Sequence, residues 1–479
     1  TAIVHQGFGS YRLQPVGEIT FDGAADRPTS APNVGGRLQA AAFNVLNYFN
    51  GDGMGGGYPT SRGAENQVEF DRQHDKIVAA IGAMDAEVVG LMEIENDGGD
   101  AVPAISTLVD GLNETVGAGS YAYVETGVIG TDAIAVAIIY QPDEVTPTGD
   151  FAVLDSTVDP RFDDGANRPV LAQTFIETAT GAVFTVAVNH LKSKGSGCGA
   201  GDDQPDHLGG NCNGTRTAAA EALADWLATD PTDSQDPDAM IIGDLNSYRM
   251  ETPISALRQA DFTDLLAEYE GRDAYTYVFR GASGYLDYAL STPSMSEQVT
   301  DAAPWHINTD EPPVLDYNTN FKSPNHQATL YAPDPFRSSD HDPVIVGLDL
   351  QLHSKVTGGG RITTDAGIAS FELSADYAGP SIIPTGHTTF TLPGFVFEST
   401  SYEWLVAEVD GSGARYSGSG TVNGESGYGF LVAVTDGPDR LRMKIWDEET
   451  DEVVFDNQPG DADDATGSHA IRSGQIKIH

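Results

Sequence analysis

Between residues 37 and 350, short and nearly unbroken apolar runs alternate with stretches of helical spacing. The runs RLQAAAFNVLNYF, AEVVGLMEIEN, DAIAVAIIY, AVFTVAVNHL, AMIIGDLNS, GYLDYALST and PVIVGLDL read as strands. Several lack the apolar–polar alternation of a strand with one wet face, so both of their faces must be covered. Helical periodicity occupies 66–84 (NQVEFDRQHDKIVAAIGAM) and 215–228 (TRTAAAEALADWLA). This alternation predicts an α/β domain over 37–352 whose sheets are covered by helices.

After VTGGGRI (356–362) the helical spacing stops. Gly, Ser and Thr increase around alternating runs such as SYEWLVAEV, YGFLVAVT and LRMKIWD, which predicts a separate all-β sandwich module over 354–479. Its DEETDE run, 447–452, reads as a solvated hairpin tip in preference to a cation site. Residues 1–36 form a Pro- and Gly-containing lead-in, packed on the α/β domain or linking to it, with one strand candidate at EITFDG, 18–23.

Composition changes this picture in two ways. The 479 residues carry 71 acidic against 25 basic side chains, a formal net charge of −46. Such a surface stays hydrated in concentrated salt, where screening over about 3 Å at 1 M removes its self-repulsion. It predicts a halophilic or marine setting and argues against a broad basic face for nucleic acid. The two cysteines, Cys198 and Cys212, share one Gly/Asp-rich loop, which predicts a local disulfide and an oxidising, extracellular compartment. Zinc held by both thiols with Asp206 or His207 is the lesser alternative, because the spacing fits no usual zinc pattern. No apolar run approaches the ~20 residues of a membrane-spanning helix, and no signal peptide opens the chain, so an exported protein is expected here in its mature form.

Polar side chains recur where the strands stop: Asn44 in FNVLN, Glu93 in GLMEIEN, Asn189 and His190 in AVNHLKS, Asp244 and Asn246 in IIGDLNS, Asp340 and His341 in SSDHDPV. Taken singly, each has a structural explanation, such as an amide satisfied by backbone, a helix cap or a core histidine. Asp287, between Leu286 and Tyr288 in an apolar run, demands a partner, and His341 is the obvious one. Such positions at successive strand ends point to a common site.

In order along the chain, FNVLNYF, GLMEIEN, NHLKSKGSGC, GDLNSY, LDYAL and SSDHDPV resemble the endonuclease/exonuclease/phosphatase superfamily, which includes pancreatic-type DNase. Within it the chain is most similar to the large secreted bacterial nucleases of the ExeM/NucH type. The similarity covers about residues 10–350, including RGAENQVEFDRQHDKIVAAI and WHINTDEPPVLDYN. It implies a DNase I-like four-layer α/β/β/α sandwich of two mixed sheets, and a secreted, metal-dependent nuclease acting endonucleolytically on DNA, with RNA as a further substrate.

The resemblance assigns a divalent ion to Glu93, with Asn44 beside it, and Asp340 to the metal or water side. Oxygen ligands of this kind suit Mg²⁺ first and Mn²⁺ next, while structural Ca²⁺ in the acidic loops is left open. Asp244 is expected to orient or deprotonate the attacking water, Asn246 to fix that geometry, and His341, oriented by Asp287, to serve the phosphate with His190 opposite. Asp132 is the expected partner of His190. Arg168 matches a phosphate-contacting position of the family; Lys192 and Arg216 join it by location, as do Lys194, Arg337 and Arg62, each with a surface ion pair as the plain alternative. Asp342 reads as a structural carboxylate, Trp305 as packing, and His74, His306 and His326 are given no role. The expected enzyme is a salt-tolerant monomer. Its rivals are a phosphodiesterase for sphingomyelin or an inositol phosphate, for which no exposed aromatic hairpin is evident, and a non-catalytic matrix protein.

Overall fold

A computed structural model describes residues 1–7, 10–20, 27–351, 355–377, 383–408 and 411–478. The chain opens with a hairpin, β1 (Ala2–Gly7) and β2 (Ser10–Pro15), whose strands pair only with each other. Residues 18–20 of the predicted EITFDG strand are irregular, and the rest of that segment lies outside the described residues.

β3 (Leu38–Tyr48) then leads into α1 (Gln67–Met84), β4 (Val88–Glu95) and α2 (Ala104–Thr115). The side chain of Asn66 caps α1 by accepting from the Glu69 amide, and Asp85, in the left-handed region at φ 54°, ends it. There follow β5 (Ala122–Tyr123), β6 (Ile134–Tyr140), β7 (Val145–Leu154), β8 (Arg168–Glu177) and β9 (Val183–His190). β7 and β8 escape the sequence reading because polar residues interrupt them; in β8, Gln173 and Thr174 are buried but hydrogen-bonded. Cys198 and Cys212 form the disulfide that closes the loop before α3 (Asn213–Leu227), which consumes both thiols of the zinc alternative. The side chain of Asp206 lies outside the described residues.

The second half of the α/β region contains β10 (Ala239–Asp244), α4 (Thr252–Gln259), β11 (Thr263–Asp264), α5 (Leu265–Tyr269), β12 (Tyr277–Phe279) and β13 (Ala282–Gly284). It finishes with β14 (Asp287–Ser291), α6 (Pro293–Ser296), β15 (Val299–Pro304), α7 (Pro324–Thr329) and β16 (Val344–Leu348).

Two mixed six-stranded sheets result, ordered β15-β16-β3-β4-β6-β5 and β11-β14-β10-β9-β8-β7. They pack face to face through residues such as Ala40, Val88, Met92, Val186, Val188 and Ile242. At Gly90 the approach is so close that a Cβ would lie 2.6 Å from Ile242 and 2.7 Å from Val188. The opposite face of the first sheet, Phe43, Val45 and Leu91, packs under Ile77 and Ile81 of α1 and Leu108 and Leu112 of α2. α3 and α4 cover the second sheet. The result is a four-layer α/β/β/α sandwich, and burial on both faces explains the unbroken apolar runs.

The C-terminal region is all β, with strands β17 (Val356–Thr364), β18 (Gly367–Asp376), β19 (Thr385–Leu392), β20 (Phe395–Ala407), β21 (Gly413–Val422), β22 (Glu425–Thr435), β23 (Arg440–Asp447), β24 (Val453–Asp456), β25 (His469–Ala470) and β26 (Ser473–Ile478). They form one antiparallel sheet separate from the other two. β26 pairs with β17 at one edge while β25, just before it, pairs with β23 near the other, so the sheet curls around a single core that includes Phe371, Phe390, Phe397, Tyr416 and Phe430. Glu448–Asp451 make the turn between β23 and β24. Arg415 of β21 reaches Glu297 beside α6 at 3.0 Å.

Candidate active site

Strand direction gathers the polar residues at one edge of the sandwich. β3 and β4 run parallel, as do β9 and β10, so Asn44, Glu93, His190 and Asp244 lie at or near their carboxyl ends. Their antiparallel neighbours begin at that same edge, with Arg168 opening β8, Asp287 opening β14 and His341 just ahead of β16. In the second sheet the register places Arg168 opposite His190, His190 opposite Asp244, and Asp244 opposite Asp287. One row across four strands therefore carries four functional groups. At Gly243 a Cβ would lie 2.1 Å from the Asn189 carbonyl, so a side chain there would force β9 from β10.

In the first sheet Glu93 sits at a bulge, where the pairing of β4 with β6 shifts between Met92 and Ile94. Its φ of 66° is costly for a residue with a Cβ. The bulge turns the carboxylate toward the second sheet. Glu93 Oε2 accepts from the Asn47 backbone N–H (3.0 Å) and from Asn47 Nδ2 (2.7 Å). Its Oε1 faces His190 Nε2 at 4.0 Å.

His341 donates Nδ1–H to Asp287 Oδ2 at 2.8 Å, and Thr276 donates its hydroxyl to the same oxygen at 2.6 Å. The His341 ring lies against Tyr277, centroids 4.6 Å apart. Its Nε2 is 4.0 Å from Asp244 Oδ2, which is also 3.6 Å from His190 Nε2. Asp244 thus stands between two imidazoles, held by the Asn246 backbone N–H (2.8 Å) and Nδ2 (3.1 Å).

Burial and neighbouring charge separate these groups electrostatically. Burial would lower His341, but Asp287 and Asp244 outweigh it and hold the imidazole well above its ordinary value. Burial, reinforced by Arg168, pushes His190 well below it. Two adjacent histidines are therefore pushed in opposite directions by their surroundings. Burial also pushes Asp244 up to about 7, with Asp287 adding to the effect, and raises Glu93, with Asp340 adding there.

The acids fit a hard cation. Glu93 Oε1 faces the cleft, the Asp340 carboxylate makes no hydrogen bond or ion pair among the described residues, and the two repel each other. Asn44, whose Oδ1 accepts from the Leu46 amide at 3.0 Å, has a buried Nδ2 without a partner. Oxygen donors of this kind suit a hard divalent cation. A second group, Asp244, Asp287 and His341, has ligand atoms within 4.8 Å of one another, but Asp287 and Asp244 already accept the hydrogen bonds described above.

Two expected roles are not met. Asp132 does not touch His190: it pairs with Arg62 Nη2 at 2.6 Å and lies 3.5 Å from Arg168 Nε, because the open end of β6 faces β8 and the 50–63 loop. His190 Nδ1 is left without a partner. Arg216 is fully buried and commits four of its five N–H groups to Ser247 Oγ and to the carbonyls of Lys192, Asn211 and Gly209, so it braces the 192–211 loop and is withdrawn from the cleft surface.

Arg168 lies in the cleft beside Asp132 but with no hydrogen bond at Nε, and Lys192 Nζ donates to Ser196 Oγ at 2.7 Å. Lys194 pairs with Glu251, and Arg337 donates to the Asn308 carbonyl at 2.7 Å. The Asp342 carboxylate accepts hydrogen bonds from segment 306–309, Trp305 is buried, and His74 accepts from or donates to the Tyr48 hydroxyl at 2.7 Å.

The sequence reading missed Thr276, Tyr277, Asn47 and the pairing of His306 with Asp342. Asn47, His306 and Asp342 stood inside quoted motifs; Thr276 and Tyr277 carry no local signal. It also missed an exposed hairpin. β12 and β13 turn through Arg280 and Gly281, both at positive φ, and present Phe279 at 49% exposure with Arg280 4.9 Å above its ring.

No family model and no curated protein matches the chain. Among solved structures, an endonuclease/exonuclease/phosphatase from Bacteroides vulgatus is 14% identical, aligning 66% of this chain with 99% of its own at a TM-score of 0.41. The human Nocturnin catalytic domain is 14% identical over 64% of this chain and 92% of its own, TM-score 0.39. An AP endonuclease from Archaeoglobus fulgidus is 14% identical over 65% and 100%, TM-score 0.39.

Proposed function

We propose that this chain is a divalent-metal-dependent phosphodiesterase that hydrolyses nucleic acid, DNA foremost, outside the cell and in salt. The observation that carries this reading is the convergence of Glu93, His190, Asp244 and His341 within about 4 Å steps of one another on two different sheets. Glu93 and Asp340, with Asn44 beside them, would hold the divalent cation, which when bound would neutralise charge on a phosphate that otherwise repels its nucleophile.

Asp244, poised near neutrality by burial, takes a proton from a water placed in line with the phosphorus, and Asn246 fixes the direction of that carboxylate. His341, held cationic and aimed by Asp287, donates to a phosphate oxygen as negative charge builds. His190, held neutral, donates to the phosphate from the other side. Arg168 and Lys192 bind the flanking phosphates, so a small cationic cluster replaces a basic face. This cluster supports a polyanionic strand as substrate. Because it is compact, cleavage is expected to persist from low to molar NaCl, whereas nucleases with broad basic faces lose affinity steeply.

The exposed Phe279 also suits a lipid headgroup diester, and one assay separates the readings. Plasmid DNA and sphingomyelin vesicles are incubated with the chain and Mg²⁺, then with EDTA. EDTA-sensitive cleavage of DNA alone is expected. Cleavage of vesicles alone, or of neither, overturns the nuclease reading.

A further inference from the structure

A second histidine–carboxylate pair stands back to back with the first. His306 Nδ1 lies 2.8 Å from Asp342 Oδ2, and the buried carboxylate makes Nδ1 the protonated nitrogen. The His306 ring stacks on Tyr275, centroids 4.0 Å apart and planes 8° apart. Tyr277, two residues on, lies against His341 in the same way. Between the two tyrosines is Thr276, whose hydroxyl donates to Asp287 and whose carbonyl accepts from the Asp342 backbone N–H at 2.9 Å.

The two pairs are therefore joined by covalent and hydrogen-bonded links alone. The side chain of Asp342 also accepts from the backbone N–H groups of Asn308 (2.8 Å) and Thr309 (3.1 Å) and from the Thr309 hydroxyl. Asn308, fully buried, donates Nδ2–H to the His341 carbonyl at 2.7 Å and accepts from the Ser339 amide at 3.1 Å. Segment 306–309 thus grips the loop that carries His341, while His306, stacked on Tyr275, holds the segment that carries Thr276.

We propose that His306 is a positioning residue: by donating to Asp342 and stacking on Tyr275 it fixes segments 275–277 and 340–342 against each other, and so sets the direction of the His341 imidazole. An Asp342 that lost this donor would keep its three other hydrogen bonds, so the loop would stay folded while its angle to Thr276 relaxed. A sub-ångström relaxation is enough to lower turnover about tenfold without touching substrate binding.

The role in turnover rests on His341 being the catalytic imidazole, so the experiment has one readout that does not. In the full chain, His306→Phe keeps a stacking ring and removes the N–H donor, while His306→Asn keeps a donor and removes the ring. Steady-state kcat and KM on DNA with Mg²⁺ are measured together with Tm and the NMR signal of the His341 Nδ1 proton. His306→Phe is expected to lower kcat about tenfold, with KM within about twofold, Tm nearly unchanged and the Nδ1 proton broadened by faster solvent exchange; His306→Asn is expected to restore most of both. A His306→Phe variant with wild-type kcat and an unbroadened signal overturns the proposal. So does a loss of kcat that only follows a loss of Tm, or that His306→Asn fails to restore. If wild type cleaves no phosphodiester, the functional reading falls, and an unbroadened signal in His306→Phe still overturns the positioning role.

Discussion

Arg442 in the C-terminal sheet and Arg168 in the cleft are both guanidiniums withdrawn from water, and their surroundings differ completely. Arg442 is bound by Asp456 through Nε and Nη2 and by the carbonyls of Asp461 and Ala462. Arg168 has no hydrogen bond at Nε, with Asp132 the nearest acid at 3.5 Å. The contrast extends to the neighbours. Asn44 Nδ2, His190 Nδ1 and Asp287 Oδ1 are also buried without partners in or beside the cleft, whereas among the described residues of the C-terminal sheet the His469 Nδ1 alone is left so. Buried polar atoms normally find partners, and leaving them unmade costs stability. Four such atoms stand in or beside the cleft, where the cation, water and phosphate of the proposed reaction would meet them.

That contrast separates rate from stability and can be broken experimentally. The largest effect is expected for His341→Ala, which should lower kcat on DNA about 10³-fold or more while Tm moves by a few degrees at most. A variant that melts early instead would make His341 structural. Next in size, Arg442→Ala strands Asp456 as a buried unpaired charge and should cost about 3–5 kcal/mol in urea unfolding. Turnover per folded molecule should stay at the wild-type level; a matching loss of kcat would show that the sheet serves the cleft.

Replacing Cys198 and Cys212 by Ser together should cost about 3 kcal/mol by freeing the loop between them in the unfolded chain, again with kcat intact. The smallest expected effect concerns pH. Burial holds Glu87 and Glu95 up to about 7 and Asp97 up to about 6, against ordinary values of 4.5 and 3.8. The folded chain therefore keeps protons that the unfolded chain releases. The resulting stability is full below pH 3.8 and is lost as pH rises toward 7, so Tm at fixed salt should fall across that window. Glu87→Gln should flatten the slope, and a steeper slope would contradict the sign.

What the sequence could show follows from range. Strand ends were legible because FNVLN, GLMEI and IIGDL place one polar residue at the close of an apolar run, and His341 with Asp287 was legible because a carboxylate in LDYAL needs a cation. The disulfide was legible because its cysteines share a loop. The partner of Asp132 was not, since it depends on which strand lies beside β6 across the cleft. Arg216 was misread because helix periodicity says which face is covered but not what covers it, here three carbonyls of a loop pinned by a disulfide. His306 and Asp342 are 36 residues apart and join through a fold-level contact that neither neighbourhood announces.

The left-handed backbone at Glu93 carries a further consequence. The direction of that carboxylate is written into the main chain, where Gly or Asn would sit with less strain. Selection of variants for heat resistance alone should therefore enrich those two residues at position 93, at the expense of the carboxylate proposed to hold the metal, so directed evolution of this chain has to screen for turnover in every round.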